Sequence, residues 1–167
     1  MDIYNASSTL PSKDLLKFSG HPTRVVFHPG EQLYRFGTIV SPSFTGNEIF
    51  ASPWWVPPAT FDAIARTANR TNTSITDVAR SRLAVAKPWN PSMDWLIIIE
   101  LKRPVYAWVG PAQPQPLDGR DRSVLLVGNF EQAFVPGLAA QGAASRLGDA
   151  ESASDAAMLV YSGQPFS

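Results

Sequence analysis

The chain's 167 residues are enough for one domain that buries most of its apolar surface in a single core, and a second independent domain would be a squeeze. Fourteen Lys and Arg balance fourteen Asp and Glu, so no overall field draws the protein to nucleic acid or to an anionic membrane. The absence of cysteine excludes disulfides, thiolate metal sites and a cysteine nucleophile, and two histidines, His21 and His28, do not make a zinc site, so no metal is expected.

Asp14 to Phe18 reads as a short helix, and Arg24-Val25-Val26-Phe27 has β-branched character before a turn at His28-Pro29-Gly30. Leu33 to Val40 is the first clear strand, closed by Ser41-Pro42, and a second short strand is expected over Glu48 to Ala51, stopped by Pro53. Thr60 to Thr67 reads as helical behind Pro57-Pro58. The clearest helix starts at Ser74, whose hydroxyl can cap it with Asp77 three residues on. Its apolar stripe is Ile75, Val78, Ala79 and Leu83, with Val85 or Ala86, and Pro88 and Pro91 end it by Lys87.

Trp95 to Leu101 is a near-continuous apolar run, the pattern of a central strand covered on both faces. Val105 to Val109 follows as a strand closed by Gly110-Pro111, and Gln113 to Arg122 reads as an exposed loop. Ser123 to Val127 and Glu131 to Val135 are two further strands, interrupted at Gly128-Asn129 and ended at Pro136-Gly137. Residues 138–157 turn to Ala, Gly and Ser with weak periodicity and read as either a loosely held helix or a flexible segment. Together these elements predict a strand-rich α+β fold in a single domain over residues 1–167. No run approaches about 18 apolar residues, and residues 1–17 lack a basic stretch followed by an apolar one, so a soluble protein without membrane contact or a general secretory signal is expected.

Three islands stand out when taken in order: Leu33-Tyr34-Arg35-Phe36-Gly37, Ala51-Ser52-Pro53-Trp54-Trp55, and the stretch Gly128-Asn129-Phe130-Glu131-Gln132-Ala133-Phe134-Val135-Pro136-Gly137. The order resembles the ADP-ribosyltransferase superfamily of bacterial toxins, whose sites use an early strand Arg, a middle Ser or Thr and a late strand Glu. The resemblance spans Gly30 to Gly137 in organisation and these islands in residues. It implies a compact split sheet, mixed or antiparallel, with flanking helices, gripping NAD+ as substrate between its halves. It also implies an immunity protein that blocks the cleft, and action in the cytoplasm of the producing or target cell after delivery by a specialised route.

The chemistry expected of each residue rests on its side chain. A guanidinium on a rigid strand can meet two pyrophosphate oxygens with parallel hydrogen bonds, so Arg35 is the expected dinucleotide clamp. Breaking the nicotinamide bond leaves positive charge on the ribose, which a carboxylate stabilises more in the transition state than before it; Glu131 is the expected carboxylate. Ser52 would fix its rotamer, and Trp54, Trp55 or Tyr34 would stack on nicotinamide and exclude water.

Toxins that modify arginine carry a Glu where this chain has Asn129, and an amide is no general base for an incoming guanidinium, so a non-arginine macromolecular acceptor is expected. Within the same superfamily, the NAD+ glycohydrolase toxins similar to the tuberculosis necrotizing toxin carry an Arg-Phe-Gly island and a late strand Gln, which Arg35-Phe36-Gly37 and Gln132 resemble. Side chains alternate along a strand, so Glu131 and Gln132 cannot both aim into one cleft without a bulge. Placing Phe130 and Phe134 in the core puts Glu131 in the cleft and predicts transfer of ADP-ribose, with hydrolysis of NAD+ through Gln132 as the alternative. Each residue also has an ordinary reading: a strand Arg covers a sheet edge, a strand Glu faces water, and Ser52 before Pro53 belongs to a turn. Trp54 and Trp55 admit a third class, a non-enzymatic binding or inhibitor domain whose tryptophans hold a partner protein.

Overall fold

The computed structural model describes residues 2–38, 50, 52–120, 123–138 and 142–156; the strand expected over Glu48 to Ala51 falls outside them except for Phe50. Helix α1 (Ser12–Leu15) is followed by strands β1 (Thr23–Phe27), β2 (Gln32–Gly37) and β3 (Trp54–Trp55), then helices α2 (Pro58–Thr71) and α3 (Ile75–Arg82). Strands β4 (Trp95–Leu101), β5 (Val105–Pro111), β6 (Gln115–Pro116), β7 (Leu125–Leu126), β8 (Glu131–Phe134), β9 (Ala144–Arg146) and β10 (Glu151–Ser152) complete the order.

All of these strands pair antiparallel. The first sheet runs β1-β5-β8-β3; the second runs β10-β4-β2, with β9 also on β4; β6 and β7 form a separate ribbon. The two larger sheets are joined through the backbone where Tyr34 of β2 and Val56 just after β3 exchange both backbone hydrogen bonds, 2.9 and 2.7 Å.

The alternation along β4 explains the layering. Leu96 and Ile98 join Tyr34 and Phe36 of β2 against Phe61, Ile64, Val78 and Leu83 of the helices. Ile97, Ile99 and Leu101 point the other way, onto Trp55, Val105, Ala133 and Val135 of the first sheet. A strand covered on both faces needs an unbroken apolar run, and that is what β4 carries. Burying side chains of this size contributes about 1.5–3 kcal/mol each, so β4 is the element on which both layers depend.

Helix α3 begins as expected: Ser74 Oγ accepts the Asp77 N–H at 3.1 Å. It ends in two reverse bonds, Ala84 N–H to Ser81 O and Val85 N–H to Arg80 O, with Ala84 in the left-handed region at φ 52° where glycine is usual.

Three expectations need correction. Residues 138–157 are neither one helix nor a loose segment where described: Ala144–Arg146 and Glu151–Ser152 pair with β4, and Ala143, Ala150 and Ala153 are buried. Small side chains let this stretch lie close along the apolar strand. The supposed loop after Gln113 supplies β6, whose partner β7 is only the Leu125–Leu126 part of the strand expected over Ser123 to Val127. Helix α1 (Ser12–Leu15) overlaps the segment Asp14 to Phe18 that reads as helical, but it starts two residues earlier and stops three residues sooner.

Candidate functional site

A cleft of about 180 Å³ opens beside the Tyr34–Val56 junction, where the two sheets part. Arg35 of β2 reaches across that gap. Its guanidinium lies 3.6 Å from the centre of the Trp55 ring, Nε donates to Trp54 O at 3.0 Å and an Nη donates to Ser52 O at 2.6 Å. Burial pushes this guanidinium well below the ordinary arginine range, to about 9. Arg35 thus ties β2 to the 52–54 segment and leaves positive charge in the cleft wall. Ser52, Trp54 and Trp55 line the cleft with it. Trp54 packs edge-on to Phe134 at 5.2 Å and against Phe18 at 5.4 Å, which holds its ring in place. The indole N–H of Trp55 is buried without a hydrogen-bond partner among the described residues.

Gln132 enters the same cleft from β8, because the turn before it sets the strand's parity. Gly128 and Asn129 both have positive φ, 64° and 78°. Gly128 donates to Ser81 O and Asn129 to Ala112 O, at 2.8 and 2.9 Å, and a Cβ on Gly128 would stand 2.3 Å from that Ala112 oxygen, so only glycine fits. Gln132 Nε2 then donates to Lys17 O at 3.0 Å. With the amino group so used, the carbonyl oxygen Oε1 is the end left for a ligand. The same Lys17 carbonyl also receives the Gln113 N–H at 2.9 Å.

The far wall is the segment after α3. Arg80, only 6% exposed, donates to Val85 O, Asn90 O and Pro91 O at 2.8–2.9 Å. Asn90 Nδ2 donates to Phe36 O at 2.9 Å. Met93, like Ala84, has a left-handed backbone at φ 51° and lines the cleft. Left-handed non-glycine residues cost about 1–2 kcal/mol each. Two of the four among the described residues therefore store strain at one cavity.

Of the residues singled out in the sequence, the cleft brings together Arg35, Phe36, Ser52, Trp54, Trp55 and Gln132. Glu131, Asn129 and Tyr34 are not in its lining. Glu131 is exposed at the start of β8, where it pairs with Pro111 at the end of β5; Ala133 and Val135, further along its side of the strand, are fully buried between the sheets, while Gln132 on the other side lines the cleft. Phe134 backs Trp54 rather than filling the inter-sheet core, which is why the expected parity is reversed. Asn129 is an exposed turn residue. Tyr34 faces the helices, stacked on Phe61 at 4.9 Å with planes 3° apart, and burial pushes its hydroxyl pKa up. Ser52 holds no carboxylate among the described residues; its Oγ accepts the Trp54 N–H at 3.4 Å.

Sequence reasoning missed Lys17, Trp89, Asn90, Gln113 and Gln115, all cleft-lining. They come from loops, one short strand and one 3-10 turn, where no periodicity marks them. The resulting lining has two cations, three glutamines and several aromatic rings, and no Asp or Glu among its described residues. Such a wall suits a planar, anionic ligand. At about 180 Å³ the cavity is smaller than the roughly 300–1,000 Å³ that encloses a drug-sized molecule, so it admits one ring with its sugar and leaves the rest of a larger ligand at the rim.

These features define a small α+β protein with a cationic, aromatic cleft between two antiparallel sheets, free of carboxylates among its described residues. No protein-family model matches the chain, and no curated protein matches it. Among solved structures it is similar in fold to Rhs1-CT in complex with its cognate immunity protein RhsI1, with TM-score 0.51 and 14% identity over 78% of this chain and 80% of that one. It is likewise similar to Tne2 in complex with Tni2, with TM-score 0.50 and 15% identity over 81% and 95% of the two chains. Tse6 in complex with Tsi6 gives TM-score 0.45 and 13% identity over 86% and 88%. No helix among the described residues is long and apolar enough to cross a membrane.

Proposed function

We propose that this chain is a toxin domain that hydrolyses NAD+ to ADP-ribose and nicotinamide. The observation that carries this reading is the meeting of Arg35, Ser52, Trp54, Trp55 and Gln132 in one cleft with no carboxylate in its described lining. The cavity takes the nicotinamide ring and its ribose, with the ring against the tryptophan faces. The C1′–N bond breaks with its electron pair going to nicotinamide, and a water oxygen bonds to C1′ and releases a proton. Positive charge moves onto the ribose as this happens, and the Gln132 Oε1 dipole, fixed by the bond from Nε2 to Lys17 O, is oriented beforehand to stabilise it. Arg35 supplies positive charge for the phosphates.

Transfer to a macromolecule is the weaker reading, because its carboxylate, Glu131, is exposed and outside the cleft. Fold similarity to a protein in complex with a cognate immunity protein supports an immunity partner for this chain; in the proposed reading that partner covers the cleft and the target is cytoplasmic NAD+. The test is nicotinamide release by purified protein with no acceptor present. Release is expected, reduced about a hundredfold or more in Gln132→Ala and retained in Glu131→Ala. Release that requires lysate and disappears with Glu131→Ala would instead establish transfer. No release under either condition would overturn the NAD+ reading and favour a non-enzymatic partner-binding domain.

A further inference from the structure

The two cations of the cleft are held in opposite ways. Arg35 is fixed, stacked on Trp55 and donating to two backbone carbonyls. The Lys17 ammonium rests 3.7 Å from the centre of the Trp89 ring and makes no ion pair among the described residues. Its root is anchored on both sides: the Lys17 carbonyl receives Gln132 Nε2 and the Gln113 N–H, and the next side chain, Phe18, is 4% exposed. Only the four-carbon stem can move. Trp89 is 50% exposed, so both partners stand at the rim, where the part of a ligand too large for the inner cavity must lie. A cation over an indole face is held more weakly than one donating to a phosphate oxygen.

We propose that Lys17 and Trp89 form a phosphate-and-ring subsite at the rim: pyrophosphate oxygens draw the ammonium off Trp89, and the vacated indole face takes the adenine ring. This rests on the NAD+ reading for the identity of the ring, whereas the anion site rests on the placement of Lys17 at the rim and not on that reading. Lys17 is then the cation that follows the ligand and Arg35 the one that shapes the wall. The Trp89 end is kept in place by Arg80, which donates to carbonyls on both sides of it, at Val85 and Asn90.

Inorganic pyrophosphate and ADP-ribose titrated into the full chain, followed by tryptophan emission and calorimetry, test the subsite. Pyrophosphate is expected to bind the unaltered protein with a saturable change in emission. Lys17→Met should weaken it about tenfold or more and Lys17→Arg should restore most of the affinity. Trp89→Leu should leave pyrophosphate affinity within about threefold but weaken ADP-ribose about tenfold, through loss of ring stacking. Absence of pyrophosphate binding in the unaltered protein, or Lys17→Met binding it as well as the unaltered protein does, overturns the anion site. Undiminished ADP-ribose binding by Trp89→Leu overturns the ring site. Failure of the NAD+ reading is separately visible: no nicotinamide release, with Lys17-dependent pyrophosphate binding intact. Conversely, NAD+ turnover with an unchanged KM in Lys17→Met keeps the reaction and removes the subsite.

Discussion

Gly128 and Gly30 share a positive φ but not a neighbourhood, and replacing each with alanine separates the two costs. Both have positive φ, 64° and 91°; around Gly30 a Cβ would meet nothing within 4 Å, whereas at Gly128 it would lie 2.3 Å from Ala112 O and 3.1 Å from Ala112 C. The left-handed backbone costs alanine about 1–2 kcal/mol at either site, and the stiffer unfolded chain returns about 0.4–1 kcal/mol of that. Gly30→Ala should therefore destabilise by about 1 kcal/mol. At Gly128 the Cβ is too close to a backbone oxygen that accepts the Asn129 N–H at 2.9 Å, next to the Ala112 N–H bond to Phe130 O at 2.9 Å. Relieving the overlap adds about 1–3 kcal/mol, and a weakened backbone bond adds about 1 kcal/mol. Urea unfolding should place Gly128→Ala about 2–4 kcal/mol below Gly30→Ala, a gap worth about 5 °C or more in Tm. Because the same turn aims Gln132, Gly128→Ala should also lose nicotinamide release at temperatures where it remains folded. Equal stability of the two variants, within about 1 kcal/mol, would refute the argument.

Three further outcomes are expected. Arg80→Met strands three carbonyl oxygens that a buried guanidinium satisfies and should cost about 2–4 kcal/mol by urea unfolding; a loss below about 1 kcal/mol would count against its role as a staple. Ser74→Ala removes the cap on α3 and should cost about 1 kcal/mol, read from the shift in unfolding midpoint. The folded-state pKa of Arg35 lies near 9, below its unfolded value, so above about pH 9 the unfolded chain holds a proton that the folded chain has released. Stability should therefore rise with pH there, while anion affinity should fall as the charge is lost. Burial also lowers Lys17, so pyrophosphate affinity measured in Lys17→Met isolates Arg35; a flat profile between pH 7 and 10 in that variant would contradict the assignment.

Much of the frame was legible because local rules and tertiary structure agree. The apolar run of β4 announces a strand with two covered faces, and Ser74 with Asp77 announces the start of α3. Arg35, Trp54 and Trp55 were legible as an ordered set, although nothing in the sequence says that Arg35 donates to the backbone of the segment bearing the tryptophans. Lys17, Trp89 and Gln113 were not legible, since a loop residue reaches a site through contacts distant in sequence, as when Lys17 O receives Gln132. Strands β9 and β10 were hidden for a related reason. Ala, Ser and Gly have little intrinsic strand preference, and pairing with β4 overrides that.

The choice between Glu131 and Gln132 shows where period-two reasoning needs a second datum. Alternation divides β8 into Glu131-Ala133-Val135 and Phe130-Gln132-Phe134, and hydrophobicity alone assigns the phenylalanines to the core. The assignment fails because this molecule has two apolar surfaces to fill. Between the sheets, opposite Leu33, Ile97 and Ile99, the space is taken by Ala133 and Val135. Aromatic rings collect instead where the sheets part, with Phe134 behind Trp54 and Phe18 beside it. On β8 the small and β-branched residues go between the sheets, and the opposite face sets Phe130 against the helix-side core and Phe134 behind Trp54, with Gln132 between them lining the cleft. On β8 that face carries an amide and not a carboxylate, and the chemistry proposed for the cleft follows from that difference.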